Sequence, residues 1–161
     1  MVYIMHEGSS KEHKNVTDFE PQILAFACNW CTYAGADLAG TSRIHYPPNV
    51  RIIRLMCSGM ADPIYILRAF EKGFDGVLVA GCHIGDCHYI SGNLKAESRI
   101  SKLKQLLHTL GLEDERLRLE WISAAEGEKF AQTVEEFVST LKKLGASPLK
   151  KREQLELRQH N

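Results

Sequence analysis

Short apolar runs alternate with amphipathic stretches along most of the chain. Runs typical of strands occupy residues 23–28, 50–57, 75–81 and 116–123. A continuous apolar run is typical of a strand that is buried on both faces, and residues 75–81 have this pattern. Residues 116–123 alternate apolar and charged side chains, which suits an edge strand with one face in water. The pattern therefore predicts four strands.

Stretches with a helical pattern follow each of these runs. They occupy residues 35–43, 62–73, 93–110 and 125–145. Asp62 stands where an N-cap is favoured, Pro63 falls at the first helical position, and Gly73 falls where a helix C-terminus is closed. Gly111 and Gly145 are expected to close the third and fourth helices in the same way.

Strands that alternate with helices are the signature of an α/β domain with a parallel sheet. We therefore predict a single α/β domain whose mostly parallel four-stranded sheet is covered by helices, in flavodoxin-like or Rossmann-like layering. A chain of 161 residues fits one such domain. We place it at residues 21–146, between a flexible N-terminal arm (residues 1–20, with a short extended piece at residues 2–5) and a charged C-terminal tail (residues 147–161).

Charge and hydropathy exclude several classes of function. Lysine plus arginine (20) balance aspartate plus glutamate (20), so no overall field attracts nucleic acid or an acidic membrane surface. The chain has no stretch of about 18 consecutive apolar residues and no pattern of a signal peptide. We therefore expect a cytoplasmic protein that binds neither nucleic acid nor membranes. In that compartment its five cysteines are unlike a disulfide framework and point to metal binding or redox chemistry.

The cysteines coincide with the ends of the predicted strands. Cys28, Cys57 and Cys82 each end one of the first three apolar runs, and Cys31 and Cys87 follow within a few residues. The carboxyl ends of neighbouring parallel strands open on one edge of the sheet, where open α/β folds bind their ligands. We therefore expect all five thiols to lie close together.

Three kinds of chemistry use such thiols. Iron-sulfur ligation would use four of the five cysteines to hold one cluster, although their spacing is neither the bacterial nor the plant ferredoxin pattern. A thiol-disulfide oxidoreductase would use the Cys28/Cys31 pair of "CNWC". A structural zinc site would combine cysteines with His83 or His88. The chain carries no dinucleotide-binding glycine motif, Walker loop or Ser/His/Asp pattern that would indicate another catalytic site.

Other residues near the cysteines have predicted roles as well. Gly59, Gly81 and Gly85 permit the backbone to approach a cluster, or they only make tight turns. Asp86 is predicted to be a helix N-cap, and Trp30 to shield the site or contact a partner.

Three segments resemble those of a known family. They are "CNWCTYAGADLAGTSR" (residues 28–43), "YPPNVRIIRLMCSGMADP" (residues 46–63) and "GVLVAGCHIGDCHYISGN" (residues 76–93). Together they resemble the delta (iron-sulfur) subunit family of methyl-viologen-reducing hydrogenase, which is associated with heterodisulfide reductase in methanogens. The resemblance extends from about residue 23 to residue 145.

The resemblance implies a non-catalytic electron-transfer subunit with a [2Fe-2S] cluster, in a larger hetero-oligomer. It would carry electrons from a hydrogenase, through the hydrogenase small subunit, or from formate dehydrogenase to the flavin subunit of heterodisulfide reductase. That flavin bifurcates electrons between heterodisulfide and ferredoxin.

The resemblance also makes all five cysteines candidate ligands. They are Cys28, Cys31, Cys57, Cys82 and Cys87. We expect the pairs Cys28/Cys31 and Cys82/Cys87 each to hold one iron, with Cys57 as a neighbouring fifth thiol. A ligand set that includes Cys57 remains open, because Cys57 ends its apolar run as Cys82 does.

Overall fold

The protein is described from a computed structural model, in which residues 19–150 are placed. Residues 1–18, which make up most of the predicted arm with its short extended piece, lie outside the described residues. Residues 151–161, which belong to the predicted tail, lie outside them as well. Within residues 19–150, no helix is long and apolar enough to cross a membrane.

The four predicted strands form one parallel sheet. They are β1 (Ile23–Cys28), β2 (Val50–Leu55), β3 (Gly76–Gly81) and β4 (Leu117–Trp121). Their order across the sheet is β2-β1-β3-β4, and every neighbouring pair is parallel. Every residue of β1 and β3 is buried, as expected for internal strands with continuous apolar sequences. The fold class predicted from the sequence is confirmed.

Helices cover both faces of the sheet. They are α1 (Thr32–Thr41), α2 (Pro63–Glu71), α3 (Gly92–Thr109) and α4 (Gly127–Leu144). On one face, apolar side chains of α2 and α3 such as Phe70 and Ile100 pack against Phe26 and Val79. On the other face, side chains of α1 and α4 such as Ala39 and Phe130 pack in the second apolar core. Successive side chains of a strand point to opposite faces of the sheet, so each strand contributes residues to both apolar cores.

The helix ends follow the expected chemistry with one exception. The Asp62 carboxylate accepts a hydrogen bond from the Ile64 N–H at 2.9 Å and caps α2 as predicted. Gly145 follows α4 with a φ of 77°, a backbone conformation that glycine adopts without strain. The prediction that Asp86 is an N-cap is wrong, because α3 begins at Gly92 and Ser91 precedes it. The turn after β3 is longer than the sequence pattern indicated.

A buried polar network closes the amino-terminal edge of the sheet. Asp75 and Arg116 are completely buried. The Asp75 carboxylate accepts hydrogen bonds from the Ser147 N–H at 3.0 Å and the Lys150 Nζ at 3.2 Å. Arg116 donates to the carbonyl oxygens of Asp75 and Gly145, both at 3.1 Å. Buried charges are stable only when they are paired in this way, so the network fixes residues 145–150 under the sheet.

Candidate metal centre

All five cysteines lie at the carboxyl edge of the sheet, as the strand register predicts. Cys28 ends β1, Cys82 directly follows β3, and Cys57 lies just beyond β2. Cys31 precedes the first turn of α1, and Cys87 lies in the turn between β3 and α3. All five are buried and none is in a disulfide. Three strand ends and two turns therefore bring together thiols that are far apart in the sequence.

The first group of thiols contains Cys28, Cys31 and Cys82. Their sulfur atoms all lie within 4.8 Å of one another, and Cys28 Sγ is 3.8 Å from Cys82 Sγ. The group contains no histidine. The geometry therefore gives no support to a zinc site that combines cysteine with His83 or His88.

The second group is the pair Cys57 and Cys87, whose sulfur atoms are 4.0 Å apart. The N–H of Gly92, the first residue of α3, donates to Cys87 Sγ at 3.2 Å. Unpaired N–H groups at a helix N-terminus favour negative charge nearby. The start of α3 therefore stabilises a thiolate at Cys87.

Glycines allow the backbone to approach these sulfur atoms. A Cβ at Gly92 would overlap Cys57 Sγ and would lie 3.2 Å from Cys87 Sγ. A Cβ at Gly59 would lie 2.8 Å from the Gly92 carbonyl oxygen, and one at Gly81 would lie 2.5 Å from Ser58 Oγ. A Cβ at Gly59 or Gly81 would therefore collide with Gly92 or Ser58 rather than with a sulfur atom, and the approach of these two glycines to a cluster stays a prediction.

Gly85 is required by the conformation of its turn rather than by a close contact. Its φ is 95°, and a Cβ there would have no neighbour within 4 Å. The second prediction for the glycines, a tight turn, therefore holds for Gly85, and Gly59 also lies in a single 3-10 turn, Ser58–Met60.

The thiols differ in their acidity. The interaction with the Cys31 thiol lowers the pKa of Cys28 to about 5, and the same interaction raises the pKa of Cys31. Burial raises the pKa of both Cys57 and Cys82. Burial also acts on Cys87, but backbone N–H groups, that of Asn93 first, hold the pKa of Cys87 below its usual value. Each group therefore contains one thiol that ionises easily, and the thiolate is the form that binds metals.

The loop that carries Cys82 is held by a buried side chain that the sequence analysis missed. Asn93 is completely buried, and its Nδ2 donates to the carbonyl oxygens of Cys82 at 3.2 Å and His83 at 2.7 Å. The sequence contains a signal for this role in "SGN" at residues 91–93. There a glycine, which lets the backbone come close, stands next to an amide side chain, which can donate hydrogen bonds. Gly92 and Asn93 thus serve both the start of α3 and the thiol site.

A hydrogen-bonded pair of side chains, His83 and Glu126, lies next to the first group. His83 Nε2 is 2.6 Å from Glu126 Oε2, which also accepts a hydrogen bond from the Ser123 N–H at 2.7 Å. The Ser123 N–H and His83 hold the pKa of Glu126 at about 2. Glu126 is therefore ionised at neutral pH and fixes the His83 ring against the loop after β4.

Aromatic side chains border the opening to the first group. The Trp30 and His88 rings are stacked with centroids 3.9 Å apart, and Trp30 Nε1 donates to Tyr89 Oη at 3.4 Å. Trp30 and His88, together with Cys31 and Cys82, line a cavity of about 300 Å³. Trp30 itself is 44% exposed. The prediction that Trp30 shields the site agrees with this position.

The comparisons with known proteins agree with the geometry. Residues 23–145 match the family described as "Methyl-viologen-reducing hydrogenase, delta subunit". The chain is 52% identical over 133 residues to the iron-sulfur subunit of the vhc F420-non-reducing hydrogenase of Methanococcus voltae, an alignment of 83% of this chain and 92% of that one.

Two further relatives extend the comparison. The iron-sulfur subunit of the F420-non-reducing hydrogenase of Archaeoglobus profundus is 54% identical over 80% of this chain and 93% of its own. In Methanosarcina mazei, one subunit of the ferredoxin:CoB-CoM heterodisulfide reductase is 54% identical over 78% of this chain, which is only 16% of that much longer protein. The match to the family covers the whole described domain from β1 to the end of α4. The chain belongs to the delta-subunit family of methyl-viologen-reducing hydrogenase.

Proposed function

We propose that the chain is an electron-transfer subunit that holds a [2Fe-2S] cluster with its cysteines. The observation that carries this proposal is the arrangement of five buried thiols in two groups at one sheet edge. Two thiolates on one tetrahedral metal, at a metal–sulfur distance of about 2.3 Å, lie about 3.8 Å apart. The distances of 3.8 Å in Cys28/Cys82 and 4.0 Å in Cys57/Cys87 fit that spacing.

The distances favour one particular ligand set. We propose Cys28 and Cys82 for one iron and Cys57 and Cys87 for the other, with Cys31 as the fifth thiol. The pairing inferred from the sequence, Cys28/Cys31 and Cys82/Cys87, uses Cys31 in place of Cys57. It stays a prediction, which the replacement of single cysteines by serine tests. The raised pKa of Cys31, which its hydrogen bond with Cys28 causes, is consistent with a thiol that keeps its proton.

The residues around the thiols suit an electron carrier. When bound, a [2Fe-2S] cluster takes up and releases single electrons. The cysteines are buried, and the Gly92 N–H donates to Cys87 Sγ, a contact of the kind that raises a reduction potential.

The partners are proposed from the relatives. One relative is named as an iron-sulfur subunit of a hydrogenase, and another is named as part of a heterodisulfide reductase. We propose that this chain accepts electrons from a hydrogenase small subunit or a formate dehydrogenase. It would pass them to the flavin subunit of heterodisulfide reductase, in a cytoplasmic complex that bifurcates electrons between heterodisulfide and ferredoxin.

Exposed apolar side chains beside the thiols suit docking of such partners. Trp30, Ile84 and Tyr89 are about half exposed, and Ile90 is 88% exposed with a φ of 72°. An exposed β-branched residue in that backbone conformation costs free energy, and a partner that covers its apolar side chain would gain the free energy of hydrophobic burial. Trp30 of this surface also lines the cavity that Cys31 and Cys82 line.

A thiol-disulfide enzyme is the second candidate. The pKa of Cys28, lowered to about 5 by Cys31, is of the kind found in active C-x-x-C motifs. However, Cys28 is only 1% exposed and Cys31 only 5%, whereas an attacking thiolate must reach its substrate. The burial of both thiols favours a cluster.

Electron transfer to the flavin subunit tests the proposed function. The reduced chain is mixed without oxygen with the oxidised flavin subunit of heterodisulfide reductase. We expect the visible spectrum of the chain to change from that of its reduced form to that of its oxidised form while the flavin is reduced. The Ile90→Glu variant should bind iron normally and transfer electrons at least about tenfold more slowly, because a charge disrupts an apolar docking surface. The Leu106→Glu variant, which changes an exposed apolar residue near the opposite end of α3, is the control. Reduced protein that never transfers electrons to the flavin would contradict the proposal.

A further inference from the structure

One residue at the start of α3 acts on both groups of thiols. Asn93 is completely buried, and its Nδ2 donates to the carbonyl oxygen of Cys82, which belongs to the first group. Burial raises the pKa of Cys87, in the second group, and the backbone N–H of Asn93 lowers it. Asn93 therefore joins two cysteines that are close in the sequence but lie in different groups.

The side chain of Asn93 uses both its donors and its acceptor here. Nδ2 carries two N–H donors, and it donates to the carbonyl oxygens of Cys82 at 3.2 Å and His83 at 2.7 Å. Oδ1 accepts from the Leu94 N–H at 2.9 Å. Apart from asparagine, only glutamine offers these groups on a neutral side chain. A buried polar group that is satisfied in this way holds its neighbours in one arrangement.

The same helix also holds the segment that carries Cys57. Gly59 lies in the turn Ser58–Met60, which directly follows Cys57. Arg99, farther along α3, donates from Nη1 to the Gly59 carbonyl oxygen at 2.6 Å. The segments after β2 and after β3 are thus both attached to α3. A change in how the second segment is attached would move Cys82 relative to the other group.

We propose that Asn93 is a positioning residue that fixes the two groups of thiols relative to each other and thereby sets the reduction potential of the cluster. The inference rests on the proposed function, in which Cys82 and Cys87 bind different irons. The Asn93 amide ties Cys82 to the first turn of α3, whose Gly92 N–H lies 3.2 Å from Cys87 Sγ. Hydrogen bonds to the sulfur atoms are among the factors that set the potential of such a cluster.

Redox titration of the Asn93→Ala variant, followed by electron paramagnetic resonance, tests the proposal. The variant removes both amide donors and leaves every cysteine in place. We expect altered g values, because the ligands shift, and a lower reduction potential, because the N–H contact with Cys87 Sγ loosens. At a fixed solution potential the ratio of oxidised to reduced cluster should rise about tenfold, which is about 59 mV for one electron. Asn93→Gln, which keeps the amide, should recover most of that change.

Asn49→Ala is the matched control. Asn49 Nδ2 also donates to two acceptors, the Pro21 carbonyl oxygen and Glu20 Oε2, both at 2.9 Å. It directly precedes β2, so it lies at the amino-terminal edge of the sheet, opposite the thiols. We expect this variant to keep the wild-type g values and reduction potential, even where its free energy of unfolding falls.

Iron content is compared first. A wild-type chain without iron contradicts the proposed function and this inference together. With a loaded wild type, three results overturn this inference alone: an Asn93→Ala protein with the wild-type potential and g values, an Asn49→Ala protein whose potential changes as much, or an Asn93→Gln protein as altered as Asn93→Ala. If Asn93→Ala holds no iron, Asn93→Gln is expected to restore it, and failure to restore it overturns the proposal.

Discussion

The Cys57→Ser variant is expected to lose most of its bound iron, whereas Cys31→Ser should keep close to the wild-type amount. Cys57 Sγ lies 4.0 Å from Cys87 Sγ, a spacing that suits two ligands of one iron. Cys31 belongs to a group of three in which Cys28 and Cys82 already form such a pair. The measurement is the content of iron and acid-labile sulfide in each variant, made and purified without oxygen.

The two variants are matched controls for each other, because both replace one buried thiol by a hydroxyl at the same sheet edge. Cys28→Ser, Cys82→Ser and Cys87→Ser are expected to behave like Cys57→Ser. If Cys31→Ser loses the iron and Cys57→Ser keeps it, the pairing inferred from the sequence is correct and the pairing from the distances is wrong. If every single variant keeps its iron, neither ligand set is correct.

The Gly92→Ala variant is expected to lose the cluster although it leaves every cysteine in place. The added methyl group would overlap Cys57 Sγ and crowd Cys87 Sγ, and both sulfur atoms would have to move. Overpacking a buried site typically costs about 1–3 kcal/mol of stability, so the free energy of unfolding should fall by a similar amount. Iron content and urea denaturation of the same preparation measure the two effects.

Gly40→Ala is the matched control for that substitution. Gly40 lies in α1, and a Cβ there would have no neighbour within 4 Å. Alanine favours a helix more than glycine does, by up to about 1 kcal/mol, so this variant should be as stable as the wild type or more so. A Gly92→Ala protein with normal iron and normal stability would show that the close approach of α3 to the thiols is unimportant.

Most of the fold could be predicted because its signals are local. The continuous apolar run of β3 and the Asp62-Pro63 start of α2 each require only a few neighbouring residues to be recognised. The convergence of Cys28, Cys57 and Cys82 could also be predicted, because parallel strands that end in cysteine place their last residues at one edge. Strand register thus carries information about the site.

The arrangement within the site could not be predicted, because it depends on the path of turns. The spacing in sequence suggested that Cys82 and Cys87 form a pair, yet Cys87 lies beside Cys57, 30 residues earlier. The turn after β3 brings Cys87 to the first residue of α3, and Asp86 has no part in starting that helix. Contacts of this kind depend on how α3 packs against the segment after β2, which no local pattern specifies.

The buried Asp75–Arg116 network was missed for a similar reason. Charged residues are rarely buried, so a sequence pattern does not indicate that the two side chains share a buried network. Arg116 donates hydrogen bonds to the backbone carbonyl groups of Asp75 and Gly145. The Asp75 carboxylate accepts hydrogen bonds from the Ser147 N–H and from Lys150 Nζ. The partners lie 29 to 75 residues apart, which is beyond the reach of periodicity.

Electron paramagnetic resonance of the reduced protein tests the central claim most directly. The full-length chain, purified without oxygen and reduced with dithionite, is expected to contain about two irons and two sulfides and to give a signal of about one unpaired electron per chain. Zinc without acid-labile sulfide, or a colourless protein with a titratable disulfide and no signal, would contradict the claim that these five cysteines hold a [2Fe-2S] cluster.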